Sequence, residues 1–182
     1  MTYLQKNRPA EDVKVVIEQS PLVQSLDSTN NSTFTPITYT QIEYQPYTYV
    51  DGSTAEFVIY NASFLIHADV PVSPTVDSDS GSTFRLVYST DGGSTWTAWG
   101  DNTMVNFGSY QYGQIRGTTY EVNFCLETTG WTAPRLLRLE GLCWSSGGMS
   151  IQLHHNLNFY DQNGLATGNS IYQPTVICRS IK

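Results

Sequence analysis

Two segments of the sequence alternate between an apolar and a polar set of residues, and this pattern constrains the fold more than any other feature. The segments are residues 118–126 and 149–160. In a β-strand, successive side chains point to opposite faces, so a period of two residues puts the apolar set on one face. One buried face and one solvated face are typical of antiparallel sheets. The apolar positions of the first segment are Tyr120, Val122, Phe124 and Leu126.

Shorter apolar segments, separated by turn residues, predict further strands. Between residues 55 and 70 the apolar phase changes from odd to even positions, and a bulge near Asn61 would account for the change. This many strands without a long helix, joined by long loops, favour an all-β, antiparallel jelly-roll sandwich. The additional strands are predicted at 36–44, 55–60, 63–70, 83–88, 104–107, 134–144 and 174–181.

The N-terminal 34 residues differ from the rest of the sequence. They contain a weakly helical stretch at residues 11–19 and a run of Ser, Thr and Asn at residues 28–33. We predict an extended or partly helical arm over residues 1–34 and a β jelly-roll domain over residues 35–182. The apolar residues of the arm are too few for a core of their own, so they need another surface to pack on. The candidates for that contact are Val13, Val15, Ile17, Leu22 and Leu26.

The chain is poor in charge, and this excludes several classes of function. Charged residues make up 14% of the sequence, and the formal net charge is −7. No Lys or Arg lies between Lys14 and Arg85, so this acidic half would repel a phosphate backbone, and nucleic-acid binding is not expected. No apolar run approaches the roughly 18 residues needed to span a bilayer. The N-terminus lacks the basic-then-apolar order of a signal peptide, so we expect synthesis in a cytoplasm.

The cysteines and histidines do not indicate a metal site. Cys125, Cys143 and Cys178 form no Cys-x-x-Cys pair, and each lies in an apolar strand, so we predict three reduced core cysteines. His154 and His155 are neighbours on a strand and face opposite sides, so they cannot hold one ion together. His155 shares the apolar face, which predicts a buried or interface residue. Because no catalytic motif is recognisable, we predict no catalytic residue, no metal, no cofactor and no enzyme activity.

Residues 89–96 (STDGGSTW) form the sharpest local motif, and they resemble the Asp-box hairpin of sialidases. The resemblance implies a tight turn with an aspartate that accepts backbone hydrogen bonds, glycines with positive φ and a tryptophan packed behind. Sialidases repeat the box on propeller blades, whereas this chain has one copy and is too short for a propeller. We therefore predict a structural hairpin. Its defining residues are Ser89, Asp91, Gly93 and Trp96.

The order of segments ITYTQIEY, FVIYNASFLI, YEVNF, GGMSIQLHHNL and PTVICRSIK over residues 35–182 resembles the trimeric jelly-roll family of tumour-necrosis-factor-like and complement-globular-head-like domains. Bacteriophages use similar domains as head decoration (cement) proteins, head fibres and tail-fibre tips. The resemblance implies that three subunits pack aromatic-rich outer faces about a threefold axis. The candidates for that interface are Tyr39, Tyr60, Tyr120 and His155.

The leading hypothesis is a structural virion protein, a homotrimeric cement protein on the capsid surface of a phage, made in the host cytoplasm. Its partners would be itself and the major capsid protein, with the arm lying along the shell. An alternative is a receptor- or glycan-binding fibre tip, in which exposed aromatic rings stack on sugars. A third, a glycan hydrolase, would require two carboxylates about 5–10 Å apart in a cleft. The aromatic residues considered for sugar stacking are Trp96, Trp99, Trp131, Tyr110 and Tyr112.

Overall fold

The computed structural model describes residues 13–16, 24–27, 32–69, 78–110, 116–145, 150–153 and 175–182. These residues form eleven β-strands, and none of them is helical. The strands are β1 (Val13–Val16), β2 (Gln24–Asp27), β3 (Thr35–Pro36), β4 (Ile42–Tyr44), β5 (Phe57–Asp69), β6 (Ser78–Ser89), β7 (Thr97–Tyr110), β8 (Arg116–Glu127), β9 (Arg135–Ser145), β10 (Ser150–Leu153) and β11 (Thr175–Ile181).

The strands form two antiparallel sheets. In sheet A, β5 pairs with β8 on one side. On its other side it pairs with β11 over residues 57–63 and with β10 over residues 66–69. β1 then pairs with β11, and β2 with β10. In sheet B the order is β7, β6 and β9, and β3 and β4 pair with β9.

Four of the strand pairings are nested in chain order, as in a jelly roll. The outermost pair in chain order is β1 with β11, and inside it lies β4 with β9. Inside these lie β5 with β8 and, innermost, β6 with β7. A hairpin folded over itself produces this arrangement as two packed sheets. The predicted all-β, antiparallel jelly-roll sandwich is therefore confirmed.

The core lies between the two sheets and follows the predicted alternation. On β8, Val122 and Leu126 are buried, whereas Glu121, Asn123 and Cys125 are exposed. Sheet B contributes inward-facing side chains from β6 and β9. The largest fully buried side chains of the described residues are Tyr44, Tyr60, Phe84, Leu86, Leu126, Leu137, Leu139, Ile151 and Leu153.

Three local predictions are wrong. The weakly helical stretch predicted at residues 11–19 is wrong for residues 13–16, because these form a strand that pairs with β11. No bulge occurs near Asn61, since β5 keeps an unbroken register against β8 from Phe57 to Ala68. Cys125 is not in the core, because it occupies an outward position of β8, whereas Cys143 and Cys178 are buried as predicted.

Two described segments of the predicted arm are strands of sheet A, namely β1 and β2. Leu26 on β2 is 4% exposed and belongs to the core cluster. The division of the chain at residue 34 stays a prediction. The predicted strand at 36–44 is interrupted between β3 and β4 by a turn in which Tyr39 has a φ of 63°.

Candidate self-association surface

Four large apolar side chains lie on the outer face of sheet A, and we call them the apolar stripe: Phe57, Ile59, Ile177 and Ile181. Because the intervening residues of β5 and β11 point into the core, these odd-numbered residues point outward. Phe57 is 38% exposed and Ile181 is 37% exposed, and the two are directly opposite each other across the β5–β11 pair. Ile59 and Ile177 are half-buried.

Polar and charged residues frame the apolar stripe. On β8, Glu127 pairs with Phe57, and Cys125 pairs with Ile59. The side-chain amide of Asn61 donates to Oδ1 of Asn123 at 2.5 Å, and on β11 Asn61 pairs with Ile177. Arg179 pairs with Ile59 and so separates Ile177 from Ile181 along β11. The outward residues of β8, which we call the β8 column, are Glu121, Asn123, Cys125 and Glu127, and all four are exposed. The outward residues of β11, the β11 column, are Thr175, Ile177, Arg179 and Ile181.

The chemistry of this face suits contact with another protein surface. Contiguous exposed apolar groups rimmed by polar residues typically mark such a contact. Removing a half-exposed Ile or Phe side chain from water contributes about 1 kcal/mol. Because the chain has few charged groups, little of this favourable free energy would be lost to the desolvation of charges in an interface.

The hairpin between β6 and β7 is closed by its own hydrogen bonds. Oδ1 of Asp91 accepts from the backbone N–H of Thr95 at 2.9 Å and from the Ser89 hydroxyl at 2.7 Å. The backbone N–H of Gly93 donates to Oγ of Ser89 at 2.8 Å, and Nε1 of Trp96 donates to the Gly93 carbonyl at 2.9 Å. The donors from Thr95 and Ser89 hold the pKa of Asp91 well below its usual range. The carboxylate is thus occupied within the turn.

The aromatic rings at this end of the sandwich pack on one another and on arginines. Trp131 is 5% exposed, and its ring lies 5.6 Å from that of Tyr88 and 5.7 Å from that of Trp99. The guanidinium of Arg135 lies 3.9 Å from the Trp131 ring centroid. In the same way Arg138 lies 3.7 Å from the ring centroid of Trp96. These contacts favour a structural role for Trp96, Trp99 and Trp131 over sugar stacking.

Two residues predicted to lie at interfaces are in the core instead. Tyr60 has no exposed surface, and its hydroxyl donates to the Thr40 carbonyl at 2.5 Å, so the trimer-interface prediction is wrong for this residue. Its even-numbered position on β5 faces sheet B. Leu26 is buried for the same reason, as its strand joins sheet A, so the predicted contact with a shell is wrong there.

The remaining predicted interface residues stay predictions. Tyr39 is 36% exposed in the turn between β3 and β4, and Tyr120 is half-buried with its ring 5.7 Å from that of Phe84. Val13 pairs with Cys178 and Val15 with Val176 along β1. Ile17, Leu22, His155 and Tyr112 lie outside the described residues, as does the side chain of Tyr110.

No protein-family model matches the chain, and no curated protein matches it. Solved structures similar to it include infectious bursal virus-derived T=1 particles, at 12% identity and a TM-score of 0.36, covering 92% of this chain and 35% of that chain. Infectious bursal disease virus of the Gx strain matches at 14% identity and a TM-score of 0.36, covering 95% and 38%. The chain thus spans little more than a third of the chains it matches. At TM-scores this low, the similarities do not bear on what it binds.

The described residues offer no metal-binding cluster and no membrane-spanning helix. Within them, no group of three or more His, Cys, Asp or Glu side chains is placed to hold a metal ion. The same part of the chain has no helix long and apolar enough to cross a bilayer.

Proposed function

We propose that the chain is a structural virion protein, a homotrimeric cement protein that decorates the capsid surface of a phage. The observation that carries the proposal is the apolar stripe on sheet A, since neighbouring, partly exposed apolar side chains rimmed by polar residues are typical of a contact with another protein. The jelly-roll pairing supports it, because the resemblance noted above is to jelly-roll domains that work as trimers. In this proposal the stripe of each subunit faces its neighbours.

The proposed partner outside the trimer is the major capsid protein, contacted by the arm of residues 1–34. Deleting the arm is a poor test, since the deletion would also remove β1 and β2 from sheet A. Substituting Ile17 and Leu22 together by Asn is sharper, and we expect this variant to occupy capsids less than the wild type. Equal occupancy would remove the proposed role of these two residues.

Self-association is tested by sedimentation equilibrium at micromolar concentration. We expect a trimer for the wild type and a shift toward monomer for Ile177→Asp, because a carboxylate in the stripe would have to be desolvated. Val50→Asp is the matched control, since Val50 lies on a turn and is 102% exposed. A monomeric wild-type protein would contradict the proposal.

The location on the virion separates a cement protein from a fibre tip. Immunogold labelling of purified virions should place the protein on heads, at many copies per particle. Labelling confined to tails, together with binding to host cells, would favour the receptor-binding alternative instead.

A further inference from the structure

Three loops meet at one end of the sandwich, and we call their exposed surface the loop end. The backbone N–H of Thr128 donates to the Glu56 carbonyl at 2.6 Å, which joins the loop after β8 to the loop before β5. The Trp131 ring lies 5.6 Å from the ring of Tyr88, near the end of β6. The surface formed by the three loops is therefore continuous. The loops are residues 45–56, 90–96 and 128–134.

The loop end is polar but carries little free charge. Its loops consist mostly of Thr, Ser, Gly and Tyr. Asp91 is occupied by the donors of its own turn, and Asp51 accepts from the Ser53 backbone N–H and binds the Lys182 ammonium. Glu56 is exposed at the margin, where its loop enters β5 of sheet A. Antibody loops that bind proteins have a similar composition, so this surface suits a protein partner.

Arg135 lies between the three loops and binds no carboxylate of the described residues. It follows the loop of residues 128–134 and pairs with Tyr44, where the loop after β4 begins. Its guanidinium lies 5.2 Å from the ring centroid of Tyr88. The other two arginines of sheet B both bind Glu140, whereas within the described part of the chain Arg135 has no ion pair or hydrogen bond from its side chain.

Contact with Trp131 holds the Arg135 side chain in place. The guanidinium lies 3.9 Å from the centroid of the Trp131 ring, and Trp131 is 5% exposed. This contact uses none of the N–H donors, which form a rigid fork that matches a carboxylate in a bidentate way. A side chain that is ordered before binding loses little conformational freedom on binding. The geometry therefore prepares Arg135 to bind a carboxylate.

We propose that the loop end docks a partner protein and that Arg135 binds a carboxylate of that partner. The inference rests on the proposed function for the partner's identity, the major capsid protein. A nucleic acid is disfavoured, because the described loop end presents a single unpaired cation where a polyanion needs several. A carboxylated sugar is disfavoured as well, since the rings of Trp99 and Trp131 pack on each other, 5.7 Å apart.

Capsid binding by purified variants tests the contact. Arg135→Gln should weaken binding to undecorated capsids by roughly tenfold or more, because it leaves the partner's carboxylate unpaired. Arg135→Lys keeps the charge but not the planar fork, so it should recover only part of the affinity. The matched control is Gln41→Glu, which changes the net charge equally at an exposed residue just before β4 and should bind like the wild type.

Amidation of the capsid carboxylates separates recognition from a merely structural role of Arg135. Undecorated capsids are treated with a carbodiimide and glycinamide, and electron microscopy checks that they stay intact. Amidation should weaken binding of the wild type but change that of Arg135→Gln little, because the variant no longer uses the carboxylate. If Arg135 only supports Trp131, amidation will weaken both proteins by the same factor, and the inference is overturned.

The outcomes distinguish this inference from the proposed function. If the wild type decorates capsids and Arg135→Gln does so equally well, the inference is overturned while the proposed function stands. If the wild type binds no capsid, both are overturned. Binding to carboxylated glycans that requires Arg135, without binding to capsids, would overturn the protein partner and favour the fibre-tip alternative.

Discussion

Oη of Tyr44 lies 3.0 Å from Oγ of Ser180, and this contact joins the two sheets across the core. Tyr44 ends β4 in sheet B, and Ser180 lies near the end of β11 in sheet A. Both residues are buried, and the Tyr44 ring also makes an edge contact with Trp131 at 6.3 Å. A polar contact between buried groups of the two sheets favours one alignment of the sheets, because a shift would separate the groups in a largely apolar surrounding.

Tyr44→Phe should lower the free energy of unfolding by about 1 kcal/mol, since it removes the hydrogen bond and keeps the ring. Chemical denaturation monitored by tryptophan fluorescence measures the change. Tyr47→Phe, on a half-buried tyrosine of the following loop, is the matched control and should change stability little. Equal losses in the two variants would show that the inter-sheet contact contributes nothing specific.

We predict that the burial of Tyr60 makes the free energy of unfolding fall at alkaline pH. Burial raises the pKa of its phenol well above the ordinary value of 10.0. Above about pH 10 the unfolded chain therefore releases a proton that the folded chain keeps, and stability falls by about 1.4 kcal/mol per pH unit. Denaturation midpoints between pH 9 and about pH 11 should show this slope in the wild type. Tyr60→Phe should have a shallower slope, and identical slopes would refute the assignment.

Glu140 holds two arginines on the outer face of sheet B. Its carboxylate binds Arg85 and Arg138, each at 2.7 Å, and its side chain is 6% exposed. Glu140→Gln should cost about 2 kcal/mol, a value reduced from that of a fully buried pair because Arg85 is 31% exposed. Thermal unfolding measures the cost. Glu43→Gln removes an exposed carboxylate of the same sheet and should stay within about 0.5 kcal/mol of the wild type.

Gly141 on β9 is buried against the side chains of Ile37 and Phe84. A Cβ there would lie 3.0 Å from Cδ1 of Ile37 and 3.0 Å from two carbons of the Phe84 ring. Gly141→Ala should therefore cost about 1–3 kcal/mol through overpacking. The cost should be smaller when Phe84 is replaced by Leu, and a double-mutant cycle by urea denaturation measures the difference. An unchanged cost would mean that the Phe84 contact is not the cause.

The strands and their inward faces could be predicted because alternation reports burial directly. Residues 118–126 illustrate this, since their apolar positions do face the core. The helix expected at residues 11–19 failed because pairing with β11 outweighs weak local propensity. β1 and β2 belong to sheet A because they pair with β11 and β10. These partners are distant in the sequence, so a local pattern cannot predict the pairing.

The apolar stripe is visible in the sequence as a change of phase, which predicts a bulge. Phe57 and Ile59 are out of phase with Phe64 and Ile66, and the expected explanation was a break in the strand. The strand is continuous, and Val58 and Tyr60 already fill its core face. Because β5 carries apolar residues on both faces, its outward residues Phe57 and Ile59 form an apolar patch on the outer face of sheet A. The sequence does not tell whether Tyr60 lies in the core or at an interface, because tyrosine, with an apolar ring and a polar hydroxyl, is common in both.

The exposed thiol of Cys125 lies beside Ile59 and would report the proposed assembly directly. A maleimide dye should label this cysteine rapidly in dissociated subunits and slowly once a neighbour covers the face. Cys143 and Cys178 are buried in the core and should react only after unfolding. Counting labels per chain therefore separates dissociation, at one label, from denaturation, at three, without any engineered tag.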